Sequence, residues 1–369
     1  MHTACHHKRA SLAYTGGSEH ARRGRSTESA GQVANRMYPY GPVRLETGCF
    51  TISLDTELAW GTNAHGEFRR YTRHLENTRW VIGQLLQRFE THRVSATWAL
   101  VGHLFLSECR REGRYPHPDV LTPTVPGMEH WHMHDPASTL EAAPLWYGRD
   151  LVSAIRRCLQ PQEIGCHTFT HVRADWRSCT QEVFQSQVRK CLEVAGAEGL
   201  RLRSFVHPEN GIAYVDTLAE LGFVCYRGKA STWYAGLPRL VRRAGRLADC
   251  ALAICPPTYP LPEAQAPLNL PGSMLLGVTD GCRRLIPNRL RIRRAIRGLD
   301  RAVARREIFH LWFHPWNLAG DPDLLRCLDE ILAYADRLRG SGDLTVMTMG
   351  EIADLVLGAE TGEIPRQAA

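Results

Sequence analysis

Apolar and polar positions along the chain fall into a repeating strand–helix rhythm. The run CFTISL at 49–54 is β-rich and stops at Asp55-Thr56-Glu57. Leu75, Trp80, Val81, Leu85, Leu86 and Phe89 then recur at near-helical spacing and predict an amphipathic helix. VSATWALVG at 94–102 predicts the next strand. Residues 112–148, rich in Pro, Gly and His, predict a loop of a length that is usually functional or disordered. The alternation resumes with a helix at 150–159, the strand EIGC at 163–166, a helix at 180–195 and the strand RSFVH at 203–207. A helix at 213–221 precedes FVCY at 223–226, and 230–270 reads as irregular and Pro-rich. The helix at 288–306 carries Ile292, Ile296, Leu299 and Val303 on one face and arginines on the other, which predicts a solvated basic face. The strand IFHLWFH at 308–314, a helix at 323–338, the strand LTVMTM at 344–349 and a terminal helix complete the pattern.

Strands alternating with helices over ~300 residues imply a mostly parallel sheet covered by helices. Four apolar strands end in polar or His-rich clusters, at Asp55, His167, His207-Pro208 and His314. In α/β barrels and open α/β sheets, sites form at the C-terminal ends of strands. The 369 residues accommodate one barrel of about 250 residues with loop insertions.

Composition is that of a soluble globular chain, 44% hydrophobic and 22% charged. The net charge is +7, but Lys8, Arg9, Arg22, Arg23, Arg25 and Arg36 outnumber Glu19 and Glu28 by four at residues 1–36 alone. The basicity is therefore mostly in a segment without apolar periodicity, predicted to be a disordered tail preceding one domain at 37–369. Nucleic-acid binding is not indicated. No stretch approaches the ~20 apolar residues of a membrane span, and no secretory signal is recognisable. A soluble, cytoplasmic protein is expected. Twelve scattered cysteines without a CxxC pair predict free, reduced thiols.

His167-Thr-Phe-Thr-His171 places two imidazoles one helical turn apart after a strand, a spacing that lets both reach one ion. Asp55 and Glu57 lie two residues apart at a strand end and point the same way. One completes a His₂-carboxylate ligand set while the other takes the proton of a water. The alternative is that either caps the next helix or pairs with an arginine. His310, Trp312 and His314 share a face, but only His314 lies at the catalytic end; it reads as a general acid or a loop cap, and His310 as structural. Trp60, Trp131 and Trp316 offer sugar-stacking faces or ordinary packing. The loop Glu129-His-Trp-His-Met-His134 reads as an exposed rim, with a second metal site as the alternative.

SLDTE, CHTFTH, SFVHPENG and LWFHPWN, in this order, resemble the motifs of the polysaccharide deacetylase (NodB-homology, carbohydrate esterase 4-like) family. YGRDL, CYRG and PGS look like the branch of that family ending in HPWN. The resemblance runs from Phe50 to Ala353. It implies a distorted (β/α) barrel, a single domain with loop insertions. It also implies one divalent metal, usually zinc, and hydrolysis of an N-acetyl group on an amino sugar or glycoside, in glycan or glycoside biosynthesis. The implied roles are Asp55 as base, Glu57, His167 and His171 as ligands, and His314 as acid. Thr56 stands where the commonest first motif has an aspartate. The third motif departs further: Val206 replaces the usual arginine and Glu209 follows Pro208, so the group that orients Asp55 is missing. The turn from Pro208 to Asn210 is expected to supply a backbone N–H to the oxyanion, Asn210 a further donor, and Trp60 and Trp316 sugar contacts. Two other readings are an amidohydrolase of the same fold acting on a formyl-sugar or ureide, and a non-catalytic carbohydrate-binding relative. The oligomeric state is left open.

Overall fold

A nine-residue strand, β1 (Gly48–Thr56), is buried along its whole length and organises the sheet. The computed structural model describes residues 44–63, 68–113, 116–124, 135–277, 279 and 281–361. The chain divides into two compact units, Met1–Gly41 and Pro42–Ala369, and all described residues belong to the second. The expected tail at 1–36, Trp131 and the loop from Glu129 to His134 lie outside the described residues.

After β1 come α1 (Trp60–Asn63), α2 (Phe68–Thr91), β2 (Thr97–Leu100), α3 (Arg149–Arg156), β3 (Glu163–Cys166), α4 (Gln181–Ala197) and β4 (Ser204–Val206). Then follow α5 (Val215–Glu220), β5 (Cys225–Arg227), α6 (Arg239–Ala251), β6 (Leu268–Asn269), β7 (Met274–Leu275), α7 (Asn288–Arg305) and β8 (Ile308–Phe313). The chain ends through α8 (Pro315–Ala319), α9 (Pro322–Gly340), β9 (Leu344–Val346) and α10 (Met349–Thr361). The strands run β6-β5-β4-β3-β2-β1-β8-β7, with β9 added beside the start of β1. Every ladder is parallel. The ladders are parallel as the strand–helix alternation predicts, and the sheet curls into the distorted (β/α) barrel that the motif resemblance implies.

Alternation along β1 divides two environments. Phe50, Ile52 and Leu54 enter the large core between sheet and helices, where each fully buried side chain contributes roughly 1.5–3 kcal/mol. Cys49 belongs to an inner cluster with Ala99, Val206, Cys225 and Leu268, which Met349, Ile352, Ala353 and Val356 of α10 join. Ser53 and Asp55 share the parity of Cys49, so the face that carries polar groups is the inner one.

Helix α2 buries Leu75, Val81, Leu85, Leu86 and Phe89 as its periodicity predicts, but Trp80 is 58% exposed, its place on the buried face taken by Thr78 and Ile82. Thr180 caps α4 by accepting from the Val183 N–H, and Asp321 caps α9 by accepting from the Asp323 N–H, with Pro322 at the first helical position. Three expectations are corrected. The irregular stretch 230–270 contains α6, which buries only Gly245 and Asp249 and so shows no inward apolar stripe. In α7 the fully buried positions are Ala295, Gly298, Leu299 and Ala302, while Ile292 and Val303 are half-buried. A Cβ at Gly298 would lie 2.5 Å from the Phe309 ring, so a small residue is required where α7 crosses β8. Nor is the basic face wholly solvated. Arg294 is buried, donates to the Ile254 carbonyl and pairs with Asp249 at 3.3 Å.

Among the described residues no helix is long and apolar enough to cross a membrane. Cys49, Cys109, Cys158, Cys166, Cys179, Cys191, Cys225, Cys250, Cys255 and Cys327 are free thiols.

Candidate metal and catalytic site

The site is assembled from the C-terminal ends of β1, β3, β5 and β8. Glu57 follows β1 directly, and Leu58 after it adopts a left-handed conformation (φ 45°) that turns the chain into α1. Gly61 makes room for the Glu57 carboxylate, since a Cβ there would fall 2.0 Å from its Cδ.

His167 sits one residue beyond β3. Its Nδ1 lies 2.7 Å from the Val206 carbonyl oxygen, which can only accept, so Nδ1 carries the proton and Nε2 presents its lone pair. That Nε2 is buried, has no hydrogen-bond partner, and lies 3.6 Å from Glu57 Oε2. His171 Nε2 lies 2.7 Å from the same oxygen. The two imidazoles converge, though not by a helical turn as the spacing suggested. Residues 167–171 form an irregular loop in which Thr168 (φ 57°) and His171 (φ 60°) are left-handed. Thr168 Oγ1 accepts from the Val172 N–H at 2.9 Å, and Gln187 Oε1 accepts from the Thr170 N–H at 3.0 Å, which fixes this loop. Non-glycine residues in this region cost of order 1–3 kcal/mol each and persist where surroundings over-determine them.

Asp55, 3% exposed, receives both terminal nitrogens of Arg227, at 2.5 Å to Oδ1 and 2.7 Å to Oδ2. Arg227 is itself 1% exposed, and its guanidinium stacks 4.2 Å from the Trp312 ring centre. It also donates to Ser53 Oγ at 3.0 Å. With that oxygen accepting, the Ser53 hydroxyl proton is available to His310 Nε2, 2.8 Å away, and His310 Nδ1 donates to the Leu270 carbonyl at 3.2 Å. Burial pulls the His310 imidazole down to about 3, so it stays neutral and structural. Burial alone would push the Asp55 carboxyl up. The charge and hydrogen bonds of Arg227 outweigh it and hold Asp55 below its usual range. Sequence reasoning missed Arg227. The signal was the lone arginine at the end of the CYRG strand, one strand over from the vacancy at Val206.

Glu57 also lies well below its usual range, burial being outweighed by the imidazoles of His314 and His171. Its Oε1 accepts from Trp316 Nε1 at 3.0 Å. His314 is the most open member, with 21% of its side chain exposed. Its Nδ1 faces Asn317 Oδ1 at 3.0 Å, which leaves Nε2 directed inward, 3.7 Å from Asp55 Oδ2 and 3.5 Å from Glu57 Oε1.

The other sequence candidates fall elsewhere. Trp60 is fully buried between His103 and Trp146 and donates to the Trp146 carbonyl, so it takes the packing alternative and offers no face to a sugar. Trp316 is half-buried against Tyr71 and His314 and holds Glu57. Pro208 is buried; Glu209 and Asn210 are both left-handed (φ 54°). The Asn210 N–H donates to the His207 carbonyl and the Gly211 N–H to that of Pro208, so neither is left for an oxyanion. Asn210 Oδ1 instead accepts from Arg227 at 3.5 Å. His207, at the end of β4, is buried and donates to the Ala213 carbonyl.

Donor atoms of Glu57, His167 and His171 all lie within 4.8 Å of one another. Two imidazoles and one carboxylate are the ligand chemistry of catalytic zinc, and the unsatisfied lone pair on His167 Nε2 fits an ion between these groups.

No protein-family model matches the chain, and no curated protein matches it in sequence. Solved structures do. A protein from Mycobacterium smegmatis assigned as a polysaccharide deacetylase is 14% identical, with a TM-score of 0.55 over 89% of this chain and 98% of that one. A second, assigned as a polysaccharide deacetylase from Pseudomonas aeruginosa PAO1, is 11% identical with a TM-score of 0.51 over 83% and 90%. The Puue allantoinase is 10% identical with a TM-score of 0.51 over 86% and 92%. What the likeness shows is the fold: this chain has a curled parallel (β/α) barrel of the polysaccharide-deacetylase type.

Proposed function

We propose that the chain is a metal-dependent hydrolase that removes the N-acetyl group from an amino sugar or glycoside in glycan or glycoside biosynthesis. Glu57, His167 and His171 hold one divalent ion, zinc by donor preference. The observation that carries this reading is the meeting of a clamped carboxylate, three ligands and a solvent-reaching imidazole at the ends of four strands. The fold likeness to two proteins assigned as polysaccharide deacetylases supports the substrate class. The free thiols support a reducing compartment, the cytoplasm.

When bound, a divalent ion polarises the scissile carbonyl and lowers the pKa of water from 15.7 towards ~7. Asp55, kept ionised by Arg227, accepts the proton of the attacking water. Trp316 and Val206 orient the ligands Glu57 and His167, the second of these through its main-chain carbonyl. His314, anchored at Nδ1 by Asn317, delivers a proton from Nε2 to the departing amine. General acid–base steps of this kind contribute typically ~10²–10⁴-fold each. A second reading, hydrolysis of a ureide, draws on the fold likeness to the allantoinase.

The deciding experiment presents N-acetylated amino sugars and ureides to purified protein of known metal content. Acetate release that His167→Ala abolishes together with its bound ion is expected. Ring-opened ureide without acetate selects the second reading. Absence of turnover on both panels with the ion loaded would refute the hydrolase.

A further inference from the structure

A second group of metal-ligating side chains lies outside this site. His103, Cys109, His117 and Asp135 bring one donor atom each to within 4.8 Å of one another. His103 follows β2; the other three lie on the long connection between β2 and α3. Asp135 is fully buried, yet no lysine or arginine among the described residues pairs with its carboxylate. The other two buried aspartates with an ion pair, Asp55 and Asp249, each face a guanidinium.

The tautomer of His103 sharpens the point. Its Nδ1 lies 3.0 Å from the Trp146 carbonyl and must donate to it. Nε2 of the neutral ring therefore turns a lone pair on Asp135 Oδ2, 2.9 Å away, without hydrogen-bond geometry. His117 Nε2 approaches the same oxygen at 3.1 Å, and Cys109 Sγ lies 3.4 Å from both carboxylate oxygens. Three ligand-type side chains thus converge on one buried carboxylate, which also accepts from the Ala137 N–H and the Tyr147 hydroxyl, and no lysine or arginine among the described residues is paired with it.

We propose that these four residues form a second metal site, a closed four-ligand zinc centre. Zinc binds thiolate at about 2.3 Å and imidazole or carboxylate at about 2.0–2.2 Å, so tetrahedral ligands stand roughly 3.3–3.6 Å apart; the spacings from Asp135 are a few tenths shorter than this, and the remaining pairs lie within 4.8 Å. Binding displaces the Cys109 thiol proton to solvent. All four positions are filled by protein, so the centre is structural, with no open position for water. It ties the long connection to the end of β2. It also braces the catalytic loop, because Phe169, which lies between His167 and His171 in the chain, packs on the imidazoles of His103 and His117 at 5.6 Å and 5.0 Å.

Only this centre contains sulfur, which makes the test independent of the proposed activity. Full-length protein produced in cobalt-supplemented minimal medium should carry about two ions per chain and show a thiolate-to-cobalt charge-transfer band in the near ultraviolet. His167→Ala should lose one ion and keep the band; Cys109→Ser should lose the band. Cobalt-loaded wild-type protein without the band overturns the proposal, a readout that needs no variant to fold. Persistence of the band in Cys109→Ser overturns it equally, because the sulfur would then lie elsewhere.

Discussion

Val206 and Arg227 are register partners on the adjacent parallel strands β4 and β5. The arginine expected at position 206 is thus present at the neighbouring position across the ladder, ~4.8 Å away. Its guanidinium still reaches Asp55 with two hydrogen bonds, and Trp312 stacks on it from β8. Val206 is left with the other task of that position, offering its carbonyl to His167.

Arg227 acts through Asp55, and its replacement separates charge from geometry. Arg227→Lys keeps a cation but loses the bidentate contact, so the Asp55 pKa should rise. The acid limb of kcat/KM should then move to higher pH. Arg227→Met leaves a buried carboxylate uncompensated and should destabilise the fold by about 3–5 kcal/mol. A pH–rate profile for Arg227→Lys with reduced activity and an unmoved acid limb would show that the arginine does not tune the base.

Asp55 and His314 are separable by leaving group. Asp55→Asn and His314→Ala should each retain the ion while slowing amide hydrolysis ~10²–10⁴-fold. An activated acetyl ester releases a group that needs no proton, so His314→Ala should be largely spared on it and Asp55→Asn should not. Equal losses on ester and amide in both variants, with metal bound, would contradict this division of roles.

His310 makes stability begin to fall at a higher pH than the carboxylates do, because an unfolded imidazole takes up its proton first. Unfolded, its imidazole takes a proton near the ordinary 6.5; folded, burial delays this to about 3. The unfolded chain therefore binds more protons between these values, and stability, complete above 6.5, falls as pH drops towards 3. Urea unfolding across this range should show a shallower decline in His310→Asn than in the parent. Parallel slopes would mean that another group carries the dependence.

The sequence announces those parts of the site that sit where a strand stops. Asp55, His167 and His314 were visible because an apolar run gave way to a polar group, and the curled sheet brings such ends together. Arg227 also ends a strand, but a lone arginine reads as solvent-facing until the order of β4 and β5 is known. Helix α6 escaped for the opposite reason. Leu240 is 76% exposed, so its apolar residues face outward and mark no buried stripe. His103, Cys109, His117 and Asp135 follow no motif spacing; they meet only because the connection between β2 and α3 folds back on itself. The rings of His167 and His171 lie together, but two left-handed residues stand where the spacing suggests a helical turn.

The two-sidedness of β1 restricts how the chain can change in length. Even-numbered residues from Phe50 to Leu54 lie on the helix side, and odd-numbered residues from Cys49 to Asp55 on the lumen side. Three partners, β2, β8 and β9, are bonded to this one strand. Insertion or deletion of a single residue within it would exchange the two sets, sending the catalytic carboxylate into the outer core and Leu54 towards Arg227. Natural length variation in proteins of this architecture should therefore collect in the connections, such as the one between β2 and α3, and be absent from β1.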